Sequence, residues 1–467
     1  MSTEREQGIP SYVRSALKRM GYTTDESMQA QSRNWWEWYT ARAGWYNRAE
    51  EVNGRRFRVK RHTLHPARRV CREWASAILD DDGTKISTED EATTELLDAW
   101  VSRTRFIPVA QRAIERAFAT GTGALALWFD ARTDGTVDIR ARKYDARMIL
   151  PLSWDDDGVT ACAFVTRAFL NGKEVCQLQV HAIPADATTY HIMTAVFDAA
   201  NGRNVTPESI VADFDSHSDM PTYAVLRPAI DNVFVEGTYM GQSVFADAMD
   251  AIRGVDNAFD SMQREIDATK VKVFMSDSLF DLADDGSGKP TPIPMSPENT
   301  VIRKVSTVED MIEVFAPPIR TGELTDALNV ALAQLGDLTG FGQQYFRYDK
   351  GSGLRTATEV SADNSAFMRT LRKHENELGP QLEGLLTALC TCQASLGDWP
   401  LLPGGSRVRV DFDDSIIQDT ASEKAQMLAE VSAGIVPKWM YLTRFYALDE
   451  DTAKELTAEP EVIDIGA

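Results

Sequence analysis

The sequence predicts an α+β fold, and three observations carry that prediction. After Asn232, apolar residues step by three and four through long stretches, as buried helix faces do. Between roughly residues 124 and 215 the pattern is instead short β-branched and aromatic runs. Turn signals such as Thr133-Asp-Gly135 and Asn171-Gly172 separate those runs. The helical and strand patterns are segregated along the chain, and only one compact group of short strands interrupts the later helices. A chain of 467 residues has room for roughly two to four domains and a sizeable core.

Residues 1–80 read as helical and unusually aromatic, with Trp35, Trp36, Trp38, Tyr39, Trp45 and Tyr46 close together. In Ala67–Leu79, Val70, Trp74, Ala77 and Ile78 fall on one face. No basic groove accompanies these aromatics in the sequence pattern, so core packing or subunit contact is preferred to a base-stacking platform. A helix over Phe106–Ala119 ends at Thr120-Gly121-Thr-Gly123 and feeds a strand, Ala124–Phe129. Further strands are expected at Val137–Arg140, Val159–Arg167, Val175–His181 and Thr189–Val196.

Phe245, Met249, Ile252, Val255, Phe259, Met262 and Ile266 mark a helix from about Gly241 to Lys270. Short strands follow over Val271–Ala316, with the turn Asp284–Lys289 among them, and Pro317-Pro318 stops the run. Thr321 can cap a helix bearing Leu324, Leu328, Leu332 and Leu335. The loop Thr339–Arg355 comes next, and Gly340, Gly342, Gly351 and Gly353 give it a freedom that a structural connector of its length rarely keeps. Thr356-Ala-Thr-Glu359 has the spacing of a capping box, with hydroxyl and carboxylate satisfying first-turn amides reciprocally. The helix it opens continues through Val360, Phe367, Leu371, Leu378, Leu382, Leu385 and Leu389. It spans about 50 Å at 1.5 Å per residue, with a kink expected at Gly379-Pro380. A strand, Arg407–Phe412, and short helices near 420–433, 437–446 and 449–458 close the chain.

Composition excludes several functions. The 70 acidic residues against 49 Lys and Arg leave a net charge of −21, which disfavours tight generic DNA binding, since phosphates must be met by cations. No apolar run approaches the roughly 18 to 20 residues that span a bilayer, and residues 1–8 lack a signal-peptide pattern. Five scattered cysteines fit buried free thiols in a reducing cytoplasm. Gly286-Ser-Gly-Lys-Pro-Thr291 fails as a phosphate-binding loop, because Ala283 and Pro290 occupy positions that require Gly and Ser or Thr. Gly121-Thr-Gly-Ala-Leu-Ala126 joins helix to strand, the reverse of a dinucleotide cradle. His62-x-x-His65 and Cys390-x-Cys392 are half-sites without a second pair. The sequence therefore predicts no catalytic site, metal or cofactor.

The order of elements resembles portal proteins of long-tailed double-stranded DNA phages, and several stretches carry the resemblance. Pro228-Ala-Ile-Asp-Asn232 followed by Gly241-Gln-Ser-Val-Phe245 is similar to the family's lead-in to its first stem helix. Ile252-Arg-Gly-Val-Asp256 and Phe259-Asp-Ser261 resemble that helix itself. Thr356-Ala-Thr-Glu-Val360, with Ser365, Arg369-Thr370 and His374-Glu375 behind it, is the most specific stretch. Phe412-Asp-Asp-Ser-Ile-Ile-Gln-Asp419 and Ala433-Gly-Ile-Val436 resemble the C-terminal signature. The match covers most of residues 220–460 and is looser over the N-terminal third.

The resemblance implies a wing over residues 1–240 and a first stem helix over 241–270. A small α/β clip over 271–318, a second stem helix over 319–338 and a tunnel loop over 339–355 follow. A long kinked wing helix, 356–395, and a C-terminal wing strand with a short helical crown, 396–467, complete the set. The family's ring has twelve subunits in the virion, at one capsid vertex, and passes double-stranded DNA without sequence specificity. Its partners are the terminase large subunit, the head-tail adaptor, and the major capsid and scaffolding proteins, with no membrane contact. Made in the host cytoplasm, it ends in the virion.

On this reading Tyr345, Arg347, Tyr348, Lys350 and Arg355 of the tunnel loop meet DNA at the constriction. For Arg347 and Lys350 the competing expectation is pairing with acidic neighbours on the stem. Asp247, Asp250, Asp256, Asp260 and Asp267 supply an acidic channel wall that repels the polyanion and so limits drag. Asp281, Asp284, Asp285 and Lys289 form the clip surface facing motor or adaptor. Two other classes stay open: a different structural protein of the particle, such as an adaptor or capsid subunit, and a packaging motor or nuclease.

Overall fold

The computed structural model describes residues 9–52, 55–80, 83–131, 137–156, 158–207, 210–276, 301–304, 312–348, 357–397, 399–404, 406–412, 427–446 and 450–457. They belong to two compact units, residues 1–412 and 413–467.

The first unit mixes helix and sheet, as expected. Its largest element is a five-stranded antiparallel sheet in the order β10-β9-β8-β7-β6. These strands are β6 Ile149–Trp154, β7 Val159–Leu170, β8 Lys173–Ala182, β9 His191–Asp198 and β10 Asp213–Asp215. Side chains alternate across the strands, and here both faces find cover. Ala161, Ala163, Val165, Leu178 and Val180 pack on one side with Val13, Ala16 and Leu17 of helix α1, Ser11–Arg19. Cys162 and Phe164 pack on the other side against a second sheet, through Ala124, Ala126, Tyr144, Tyr223 and Val225. That sheet has the order β11-β4-β5, built from β4 Gly123–Ala131, β5 Val137–Asp145 and β11 Tyr223–Leu226. Double cover is why β7 reads as a nearly continuous apolar run rather than a clean alternation. The β7–β8 turn uses Asn171 and Gly172 at φ 50° and 76°, the two positive values that a tight hairpin of this hand requires.

Further helices are α2 Gln29–Tyr39, α3 Pro66–Ile78, α4 Glu91–Thr104, α5 Phe106–Thr120 and the 39-residue α8 Ala357–Ser395. Of these, α5 and α8 pack on the second sheet, and α2, α3 and α4 pack against α5. Asp90 caps α4, its carboxylate accepting from the Thr93 amide at 2.9 Å. The expected cap residue of α8, Thr356, lies outside the described residues, and α8 starts one position after it. Pro380 sits within α8. A short pair, β3 Lys85–Ser87 with β15 Arg409–Asp411, completes this part.

Two expectations need correction. Residues 1–80 are not all helical: β1 Asn47–Val52 and β2 Arg55–Lys60 form an antiparallel hairpin. Asn53-Gly54 between them is a strong hairpin dipeptide already present in the sequence. Nor does the helix begin near Gly241. Gly241–Phe245 is a buried non-helical segment, followed by a 3-10 turn at Ala246–Ala248, and α6 runs Met249–Ala268. The segment is held by the end of α5: the Gly241 amide donates to Thr122 Oγ1 at 3.0 Å, and the Ser243 hydroxyl to the Phe118 carbonyl at 2.9 Å. Backbones approach so closely here that a Cβ at Gly241 would sit 2.6 Å from the Gly121 carbonyl oxygen. The apolar stepping from Phe245 onward thus continues a helix face through residues that are not yet helical.

In the second unit, helices Lys438–Tyr446 and Glu450–Thr457 pack together, with Ala453 buried and Lys454 Nζ 4.9 Å from the centre of the Trp439 ring.

Candidate functional site

Helix α6 packs against α7, Thr321–Leu338. The pair is antiparallel: Gly254 lies opposite Ala331, while Glu265 near the end of α6 accepts from Arg320, just before α7, at 2.9 and 2.7 Å. The approach does not depend on glycine at 254, since a Cβ there would meet the Ala331 methyl at 3.8 Å, an ordinary contact distance. Between the helices the chain makes a small sheet, with β12 Lys272–Ser276 parallel to β13 Val301–Lys304 and antiparallel to β14 Ile312–Phe315. Two antiparallel helices and a strand excursion at their far end are therefore one continuous device. The expected clip residues Asp281, Asp284, Asp285 and Lys289 lie outside the described residues.

The five acidic residues expected to share one wall divide into two groups. Asp247 and Asp250 are exposed, and Asp250 pairs with Arg253 at 3.0 Å. Asp267 is half-exposed and pairs with Lys270 at 2.7 Å, a hydrogen bond that pulls its carboxyl below the usual range. Asp256 and Asp260 are buried, which corrects their assignment to an open wall. The reason is the unexpected hairpin and the segment after it. Asp256 accepts from the Tyr46 hydroxyl at 2.8 Å, Thr63 Oγ1 at 2.9 Å and the Leu64 amide at 2.9 Å. Asp260 accepts from the His62 amide at 3.0 Å and pairs with Arg264 at 3.1 Å. Burial pushes the Asp256 carboxyl above its ordinary value, with the three donors acting in the opposite direction. Arg264 and Arg48 also both reach Glu50 of β1. These two aspartates fasten the hairpin to the helix.

The loop after α7 also differs from expectation over its described part, 339–348. Glycines there serve close packing rather than freedom. The Phe341 and Gly342 amides return to the Gly336 carbonyl at 2.9 and 3.1 Å, closing the helix end. Gly340 and Gly342 both have φ of 84°, and a Cβ on Gly340 would lie 2.7 Å from Thr370 of α8. Trp74 Nε1 donates to the Thr339 carbonyl at 3.0 Å. Phe341 and Phe346 are buried, in an aromatic cluster with Trp74 and Phe367. Tyr345 stacks on Phe367 and donates to Glu73 at 2.8 Å. Arg347 is half-buried beside Gln344, whereas Tyr348 is exposed. Lys350 and Arg355 lie outside the described residues.

Stretches singled out in the sequence do meet in space. The Ala229 amide donates to His374 Nδ1 at 3.0 Å, and Arg227 pairs with Glu377 at 2.7 Å, joining the lead-in of α6 to the long helix α8. His374 is enclosed by the Trp74 and Phe118 rings, and burial pushes its pKa down to about 3. Among the described residues no group of three His, Cys, Asp or Glu could hold a metal ion, and all five cysteines are buried and free. No described helix is long and apolar enough to cross a membrane.

Two features escaped the sequence reading. One is the basic outer face of β2, whose signal was the run Arg55-Arg-Phe-Arg-Val-Lys-Arg61 in an acidic chain. The other is the apolar exposure of β14 and its surroundings. Ile312 is 57%, Val314 62% and Phe315 48% exposed, and Val271 and Ile319 are exposed beside them.

Residues 47–463 match the family model described as phage portal protein, SPP1 Gp6-like, and the chain belongs to that family. Among curated proteins none matches. Two similar solved structures are described as "Neck of native GTA particle computed with C12 symmetry" and "Neck of empty GTA particle computed with C6 symmetry". Each is 12% identical to this chain with a TM-score of 0.37. The alignments cover 85% and 82% of this chain and 90% and 89% of those chains.

Proposed function

We propose that this chain forms a closed homo-oligomeric ring of twelve subunits at one vertex of a phage capsid, through which double-stranded DNA enters and leaves. The observation that carries this reading is the apolar exposure of the α6–β14–α7 device. A four-residue strand with three large apolar residues about half exposed or more is an aggregation hazard unless a neighbour covers it. Closed rotational symmetry gives every copy that neighbour. On this reading α6 and α7 are stem helices, 271–318 the clip, the β-rich unit with α8 the wing, and residues after 412 the crown.

Asp247 and Asp250 are the described acids fit to face the channel, with Asp267 close behind. Arg347, Tyr348, Lys350 and Arg355 are the loop residues to meet phosphates, and Asp281, Asp284, Asp285 and Lys289 those to face terminase or adaptor. Capsid and scaffolding proteins are the remaining partners, and the role requires no catalysis or cofactor. Negative-stain imaging of the purified chain tests the reading. Rings with a central channel are expected; monomers at every salt and concentration would overturn it.

A further inference from the structure

Resting on the ring reading, we infer which two surfaces join neighbouring copies: the outer face of the β1–β2 hairpin on one subunit and the outer face of α7 on the next. In β2, alternate residues share a face. The register pairs Glu50 with Phe57 and Arg48 with Val59. Arg48 and Glu50 reach Asp260 and Arg264 of α6, so their face is turned towards the helix. Arg56, Arg58 and Lys60 therefore point away from α6, and all three are exposed. The one carboxylate on that face is Glu51, 3.9 Å from Arg56 and itself well exposed. In a chain of net charge −21 this is a concentrated positive ladder.

Helix α7 carries the complement. Its 18 residues include no Lys or Arg. Glu323, Asp326 and Asp337 are exposed along one face, with exposed Val330 between them and Leu338 at the end. Arg320, the nearest preceding cation, is engaged by Glu265.

Position makes the pair an interface rather than two isolated patches. On α6, Asp256, Asp260 and Arg264 face the hairpin, whereas Gly254 and Glu265 face α7. At 3.6 residues per turn those two sets point roughly 130° apart. Hairpin, α6 and α7 thus form a row with a positive end and a negative end. A heterologous contact that closes a ring needs two different, complementary surfaces on opposite flanks of one subunit. The occupant favoured for the basic face is a second copy, because this chain supplies a complementary acidic face and DNA would leave that face unmatched.

Two charge-reversed variants test this. One is R56E/R58E/K60E and the other is E323K/D326K/D337K. Each alone should assemble at least about tenfold more weakly than wild type, since like charges then meet at every contact. Mixed in equal amounts, they should restore rings in which the two variants alternate. General repulsion cannot imitate this outcome: the reversals move the net charge by about six units in opposite directions, so it would weaken one variant and strengthen the other.

Carbodiimide cross-linking of wild-type rings, which does not depend on any variant folding, should join Lys60 to the α7 peptide. Wild-type rings with both variants assembling normally, or no Lys60–α7 link, would overturn the assignment while leaving the ring reading intact. Normal assembly of R56E/R58E/K60E with lost low-salt binding to duplex DNA would give the basic face to DNA instead. A wild-type chain that never forms rings would overturn the ring reading itself.

Discussion

The five-stranded sheet and the α6–β14–α7 device are built from similar apolar residues but complete their burial differently. Between α1 and the second sheet, Phe164, Leu178 and Val180 are fully enclosed by their own chain. On β14, Ile312, Val314 and Phe315 stay largely open. The sheet is finished within one subunit, and on the proposed ring reading the device is finished by another. Folding and assembly should therefore be separable by mutation, and variants can probe that division from the largest effect on folding to the smallest.

Phe164→Ala should be the most damaging change. It opens a cavity between two sheets and should cost about 3–5 kcal/mol of folding stability by urea denaturation. A loss below about 1 kcal/mol would mean that the sandwich core is not the stability centre.

Acid should come next, its effect per pH unit being smaller than that of Phe164→Ala. His181 and His374 are buried and held neutral, with pKa values lowered from 6.5 to about 3. Below pH 6.5 the unfolded chain takes up protons that the folded chain refuses. Stability should accordingly fall as pH drops from 6.5 towards 3, by up to about 1.4 kcal/mol per pH unit for each histidine. His374→Gln should remove one histidine's share of that slope. An unchanged slope would show that His374 is not held neutral.

Gly340→Ala probes the loop after α7. With φ at 84° and Thr370 2.7 Å from the added methyl, it should cost about 1–3 kcal/mol and raise hydrogen exchange at the Phe341 and Gly342 amides. Wild-type exchange there would return the loop to the freedom that its glycines suggested in the sequence.

The loop also shows where sequence reading reached its limit. Periodicity located α6, α7 and α8, because each has a sustained apolar face, and it located β7 and β8 through their length and the Asn171-Gly172 turn. It misread Gly340 and Gly342 as freedom, because composition cannot distinguish a glycine that moves from one pressed against Thr370. It placed Asp256 and Asp260 on an open wall, because a helix seen alone does not reveal that residues 46–64 will cover one side. Asn53-Gly54 carried the missing hairpin, masked by the aromatic helix pattern around it. The exposure of β14 is a tertiary property, invisible until the strand's neighbours are known.

The smallest expected effect on folding comes from Val314→Asp, and it tests the central claim most directly. Since Val314 is 62% exposed in the single chain, the substitution should change subunit stability by no more than about 0.5 kcal/mol. Native mass should nonetheless divide wild type from variant. Wild type should appear as a closed ring, about 620 kDa for twelve chains of 51.9 kDa, and Val314→Asp as a folded subunit or small fragment of a ring. A wild type that runs as a folded monomer, or a variant that closes rings as readily as wild type, would contradict the account.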